Sequence, residues 1–312
     1  MKRKHLLIID LILQFSFVKA QQIPQFTHHL MNQFAYNPAV AGSKNCMDLT
    51  MAHRRQWSGL EGAPITTFAS FHTVIKKDRF SLSKKHAIGL VFLNDRYGSF
   101  DRMKLKVAYS YHMPVTRKVL LSMGMFLGIE QFHFDARDVT LINYADPAIY
   151  NSGRKTIVPE ITPGIFLQSN LWFIGATLQQ TLGHKVKAIG TDESKLARHA
   201  TFLGGLNVKL NRNWGVVPSL LFKVISSAPV AVDVNVMATY KNNLSFGLSY
   251  RNVDAASVLV KYSFLNYLTL GYAFDYTLSD IQIGSSNTHE VTIGINPCGY
   301  KKAGKYACPT FN

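Results

Sequence analysis

Strict alternation of apolar and polar residues constrains this chain more than any other feature. Val230, Val232, Val234, Val236, Ala238 and Tyr240 share one parity, while Ala231, Asp233, Asn235, Met237 and Thr239 share the other. Successive side chains of a strand point to opposite faces, so this spacing makes one apolar face and one mostly polar face. The pattern recurs in Leu244, Phe246, Leu248 and Tyr250, in Val258, Val260, Tyr262 and Phe264, and in Leu268, Leu270, Tyr272, Phe274 and Tyr276. Upstream it returns in Leu105, Val107, Tyr109 and Tyr111, and in Leu121, Met123, Met125, Leu127 and Ile129. No amphipathic helix of comparable length competes.

The alternating segments number about fourteen, near 47–57, 64–75, 86–94, 102–113, 118–131, 158–168, 171–179, 199–210, 213–224, 230–240, 243–252, 255–264, 267–277 and 287–296. Most are roughly 9–12 residues long, the reach a tilted strand needs to cross an outer membrane, and the count is even, as in single-chain bacterial barrels. Short joints such as Lys241 to Asn243 and Leu265 to Asn266 suit tight turns at one end, and the longer joints near 132–157 and 180–198 suit loops at the other. A two-sheet sandwich also uses alternating strands. One continuous meander of similar strands favours closure, because a closed barrel leaves no unpaired edge in lipid. The expected fold is all-β: a transmembrane antiparallel β-barrel of about fourteen strands, of outer-membrane type.

The first twenty residues read as an address. Lys2, Arg3 and Lys4 form a positive start, Leu6 to Phe17 an apolar run interrupted by Asp10 and Gln14, and Val18 and Ala20 the small residues of a cleavage site. The run is far shorter than the roughly 20 residues a spanning helix needs. Four parts are expected: a signal peptide at 1–20, an extended N-terminal leader at 21–46, the barrel at 47–296 and a basic, cysteine-containing tail at 297–312. Export implies an oxidising compartment, in which Cys298 and Cys308 would close a short loop and leave Cys46 unpaired.

The formal net charge is +16 although only 17% of the residues are charged. The basic residues are scattered, as in Arg54, Lys84, Lys104, Lys209, Lys241 and Lys261, without an aromatic-basic motif of a nucleic-acid fold. Nucleic acid is therefore not an expected partner, whereas anionic outer-membrane lipid or an acidic protein is. No nucleophile elbow or phosphate loop occurs. "THE" at 288–290 lacks the second histidine of a zinc protease, and adjacent His28 and His29 on an extended segment would point apart. The expectation is a non-enzyme with no catalytic residue, metal or cofactor. Asp233, Arg251, Lys261, Asp275 and Glu290 fall on the polar parity and are expected as lumen ion pairs, since Arg or Lys facing lipid at the midplane costs about 2–4 kcal/mol.

"NQFAYNPAVAGS" at 32–43, followed by "HRRQWSGLEGAPITTFASF" at 53–71, resembles the opening of the PorP/SprF family of Bacteroidetes outer-membrane proteins. "VVPSLLFK" (216–223), "VDVNVMATYKNNLSFGLSYRNVDA" (232–255), "LGYAFDYTLSDI" (270–281) and "SSNTHEVTIG" (285–294) resemble its later blocks. The motif positions are Asn37, Pro38, Ala39 and Gly42, then Arg54, Gln56 and Trp57, then Gly62, Pro64 and Thr66, then Asp275, His289 and Glu290. His53 stands where the family often has tyrosine, and the tail "PCGYKKAGKYACPTFN" continues beyond the last strand.

The resemblance implies a barrel of the type IX secretion system that supports export or surface attachment of secreted proteins, and of adhesins in gliding species. It also implies contacts with periplasmic ring and motor components. A general diffusion porin is the rival reading. Asn37-Pro38 is expected to set a turn, because proline fixes its own φ and biases the preceding residue away from helix. Arg54 with Trp57 is expected near the end of the first strand, at the membrane interface, where the guanidinium would meet a carboxylate or a phosphate.

Overall fold

The protein is described here by a computed structural model covering residues 24–44, 46–77, 84–135, 155–184, 196–225, 228–252, 254–264, 267–285 and 287–297. The expected signal peptide and most of the expected tail lie outside these residues.

The strands follow the sequence meander. They are β1 (Asp48–Arg55), β2 (Ile65–Lys77), β3 (Lys85–Tyr97), β4 (Phe100–Pro114), β5 (Leu120–Phe134), β6 (Lys155–Gln168), β7 (Trp172–Gln179), β8 (His199–Leu206), β9 (Val208–Lys209), β10 (Trp214–Ile225), β11 (Ala228–Tyr240), β12 (Leu244–Arg251), β13 (Ala255–Phe264), β14 (Leu268–Thr277) and β15 (Thr288–Ile295). The two residues of β9 prolong β8 along β10, so the described residues form fourteen staves. Each is antiparallel to its neighbours, and β1 pairs with both β2 and β15, which closes the ring.

Exposure separates a barrel from a sandwich. Outward Leu248 is 67% exposed and Val107 56%, whereas inward Ser245, Lys261 and Glu290 are fully buried. A soluble sandwich buries its apolar parity. Here that parity faces outward as a continuous apolar girdle, the arrangement lipid requires. The lower rim carries the start of β1, the end of β15 and short turns such as Tyr240–Asn243, where Lys241 and Asn242 have φ of 47° and 60° and Asn243 N donates to Tyr240 O at 3.0 Å. Positive φ at both central positions matches the strand twist in a two-residue hairpin. The end of β5, the start of β6, the end of β7 and the start of β8 lie at the opposite, upper rim.

Strands β3 to β6 run further toward the upper rim than their apolar alternation suggests. Polar ends hide the extension, yet their backbones still pair, Asp95 with Arg102, Arg102 with Phe132 and Phe132 with Thr156.

The leader differs from its expected extended form. Described from Pro24 onward, it turns at Thr27–Met31, forms a helix α1 (Gln33–Tyr36) and then a 3-10 turn (Pro38–Val40), all inside the barrel. A backbone surrounded by side chains must satisfy its own polar groups locally. Asn32 N donates to His28 O at 3.1 Å, Ala35 N to Asn32 O at 2.9 Å and Asn37 N to Gln33 O at 3.0 Å. The hydrophobic core of the molecule is therefore in the lumen: Phe26, Leu30, Phe34, Tyr36 and Val40 pack against inward Phe68, Val91, Phe126, Phe166 and Leu221.

Candidate functional site

The leader is seated at two levels, and most of the motif positions build those seats. The upper one is ionic. Arg54 is at the seventh position of β1, so its side chain points inward with Asp48, Thr50 and Ala52. Its Nη2 lies 2.8 Å from Asp275 Oδ2 on β14, and its Nη1 donates to Glu290 Oε2 on β15 at 3.2 Å. Leader atoms complete the cluster. Thr27 Oγ1 accepts from Arg54 Nη1 at 2.8 Å and donates to Asp275 at 2.8–2.9 Å. The amides of Thr27 and His28 donate to Glu290 at 2.7 and 3.0 Å. One cation between two carboxylates is thus coupled to two backbone donors, all out of water. The expected interface position of Arg54 is corrected: it meets carboxylates within the lumen, and Arg55 is the outward residue.

An adjoining inward group extends this latch. Asp233 joins Arg251 at 2.8 Å and Lys223 at 3.1 Å, Arg251 joins Asp254 at 3.0 Å, and Lys223 Nζ donates to Gln25 Oε1 at 3.1 Å. Lys261 is buried in the same lumen. Of the residues expected as lumen ion pairs from the polar parity, Asp233, Arg251, Asp275 and Glu290 are paired there. His29 reaches Ser219 Oγ at 3.2 Å, and burial holds its pKa down to about 4, the nearby Asp233 only partly opposing that.

The lower seat is steric. Asn37 caps the 3-10 turn by accepting from Ala39 N at 2.9 Å and holds the wall by donating Nδ2 to Ile165 O at 2.9 Å. Three wall glycines make room for it. A Cβ on Gly164 would lie 2.4 Å from Asn37 Oδ1, one on Gly124 2.6 Å from Ala39 N, and one on Gly175 2.7 Å from Asn37 Nδ2. Pro38 and Ala39 therefore rest on bare backbone. Gly42, at φ +71°, donates its N–H to His72 Nδ1 at 3.2 Å and accepts from Lys85 Nζ at 2.6 Å as the leader leaves the lumen. The expected Asn37-Pro38 turn is present.

The remaining motif positions lie elsewhere. Gln56, Trp57, Gly62 and Pro64 form the upper-rim connection of β1 to β2: Gln56 N donates to Pro64 O at 2.9 Å, Trp57 N to Thr288 Oγ1 at 3.0 Å and Gly98 N to Gly62 O at 2.7 Å. Trp57 has φ 48° and Gly62 φ 69°, so this connection needs left-handed backbone at both. Thr66 donates to Asp95 Oδ1 at 2.6 Å. His289 faces outward against Tyr272 OH at 2.7 Å, so it stands apart from its neighbour Glu290.

A second inward charged strip, absent from the motif reading, crosses β4, β5 and β6. Arg102 pairs with Glu130, Lys104 with Glu130 at 3.2 Å and Glu160 at 3.7 Å, and Lys106 with Glu160 at 2.8 Å. The leader contacts Thr27, His28, Phe34 and Tyr36 were also missed, because their chemistry depends on a fold-back that alternation does not report. The wall glycines were visible only as small residues on polar parities.

Cys298 and Cys308 lie outside the described residues. Cys46, however, is disulfide-bonded. This corrects the expectation that Cys46 is unpaired.

Among solved structures, the chain is similar to the Pseudomonas putida toluene transporter TodX (11% identity, 88% of this chain and 93% of that one, TM-score 0.47). It is also similar to the CymD monoaromatic hydrocarbon channel (11%, 85% and 91%, TM-score 0.48) and to a Pseudomonas aeruginosa FadL homologue (10%, 84% and 92%, TM-score 0.47). No curated protein matches the chain. The family described as "Type IX secretion system membrane protein PorP/SprF" matches residues 18–295, which takes in the leader, both of its seats and every stave, and the chain belongs to that family.

Proposed function

We propose that this protein is a non-enzymatic outer-membrane component of type IX secretion that supports export or surface attachment of secreted proteins and contacts the periplasmic machinery. The observation that carries this reading is a lumen filled by the chain's own leader, held there by family motif residues Asn37, Pro38, Arg54, Asp275 and Glu290. Such a barrel offers rims and an anchored scaffold in place of a solute path. In this reading the signal peptide is removed after Ala20, the apolar girdle sits in outer-membrane lipid, and the lower rim, with the start of β1 and the end of β15, faces the periplasm.

A clean deletion followed by comparison of secreted and surface-displayed proteins tests it. Loss of at least one secreted or surface-attached protein is expected, together with co-purification of periplasmic machinery from mildly solubilised membranes. Unchanged export and display of all type IX substrates overturns it. Steady single-channel conductance of the intact protein in liposomes favours a porin instead, since a seated leader blocks the lumen.

A further inference from the structure

Charge is divided unequally between the two rims. Among the described residues, the lower turns and strand ends expose Lys84, Arg117, Lys118, Lys209, Arg212 and Lys241, and none of the six forms an ion pair with another described residue. The one described carboxylate at that rim, Asp48, is buried and held by Lys44 Nζ at 2.6 Å. The upper rim mixes both signs, with exposed Arg55, Arg96, Lys155 and Arg198 among Glu61, Asp101, Asp254 and Asp280. The lower cations form two sectors across the mouth from each other. Lys85 pairs with His112 and Pro114 with Leu120, so Lys84 and the turn carrying Arg117 and Lys118 adjoin under β3, β4 and β5. Lys241 N donates to Asn213 O at 2.7 Å, which sets the Lys241 turn beside the connection carrying Lys209 and Arg212, under β8 to β12.

We propose that the lower rim docks an acidic protein surface end-on across the mouth of the barrel, an inference that rests on the reading of this rim as periplasmic. Unpaired like charges held on a rigid rim attract an anionic face over a Debye length of about 8–10 Å and favour it over a neutral or basic one. Position distinguishes a protein from a lipid headgroup as the source of that face. The outward faces of the staves end in aromatic residues at this rim: Trp214 and Tyr240, with ring centroids 5.0 Å apart, and Phe264. Such rings occupy the membrane–water interface. Arg212 and Lys241 stand on turns beyond them, on the aqueous side, and the two sectors flank the mouth, where lipid does not reach. The leader leaves the lumen at the same rim, past Gly42 and Lys44, so a docked partner covers its exit.

Binding of a fluorescent oligoglutamate peptide to the full chain in discs of zwitterionic lipid tests the surface. Arg117→Gln, Lys118→Gln, Arg212→Gln and Lys241→Gln, combined, should weaken binding by about tenfold or more and flatten its dependence on ionic strength. Arg55→Gln, Arg96→Gln, Lys155→Gln and Arg198→Gln remove the same charge from the upper rim and should change binding by less than about twofold. Equal losses in the two sets, or none in the first, overturn the inference. So does unchanged peptide binding with loss of phosphatidylglycerol from mixed-lipid discs, which makes the patch a headgroup contact. The fast-migrating band on unheated gels reports whether each set folds. Where one does not, carbodiimide cross-linking of the peptide to the unsubstituted chain decides: links at Lys118, Lys209 and Lys241 are expected, and a dominant link at Lys155 overturns the proposal. In cells, the lower-rim set should lose co-purifying periplasmic machinery. If deletion abolishes export yet this set retains that machinery undiminished, the docking surface fails and the proposed function stands.

Discussion

Two inward clusters of the same residue types do different work. On β1, β14 and β15, Arg54, Asp275 and Glu290 reserve part of their hydrogen bonding for the leader, through Thr27 Oγ1 and the amides of Thr27 and His28. On β4, β5 and β6, Arg102, Lys104, Lys106, Glu130 and Glu160 satisfy one another across neighbouring strands. The first cluster couples wall to plug and the second couples wall to wall. Buried charge is stabilising only where it is paired, so the value of each cluster depends on what a missing partner would expose.

Breaking the latch should have the largest effect. Arg54→Met leaves Asp275 and Glu290 facing each other without their cation and should cost about 3–5 kcal/mol. The folded, fast-migrating band on unheated gels should be lost at lower temperature, and residues 24–44 should become protease-sensitive. Lys106→Met is the matched control. Lys104 still faces Glu160 at 3.7 Å, so the loss should be about 1–3 kcal/mol and the leader should stay protected. Equal protection of the leader in the two variants would erase the distinction between the clusters.

Overpacking the lower seat comes next. Gly164→Ala drives a methyl to 2.4 Å from Asn37 Oδ1 and should cost about 1–3 kcal/mol, with protease entry near Asn37 while the ionic latch still holds. The pH response is smaller. His29 is neutral in the folded lumen at pH 7, with its pKa lowered from 6.5 to about 4 among Asp233, Lys223 and Arg251. The unfolded chain therefore binds the proton first, and stability should fall as pH drops from about 6.5 toward about 4. His29→Gln should flatten that slope in thermal melts taken between those values. The smallest effect is expected at the upper rim, where Trp57→Ala should change stability by less than about 1 kcal/mol and leave the leader seated.

The staves were legible because lipid outside and polar groups inside impose one parity on every segment. Val230 to Tyr240 and Leu268 to Tyr276 keep their predicted faces in the barrel, and Asn37-Pro38 keeps its turn. The upper ends of β3 to β6 were not, since beyond the girdle there is no lipid to enforce apolar residues and only backbone pairing marks the strand. Arg54 and Asp275 stood out as motif positions, but neither the contact between them nor their hold on Thr27 is local: Thr27 and Asp275 are 248 positions apart.

Strand number, closure and the inward or outward parity of each side chain thus follow from alternation, because the pleat repeats every two residues and the membrane selects one parity along the whole chain. The return of the leader into the lumen and the pairing of Arg54 with two carboxylates on β14 and β15 depend on ring closure. Closure sets the first strand beside the last, and no periodicity in the residues between them encodes which distant groups then meet.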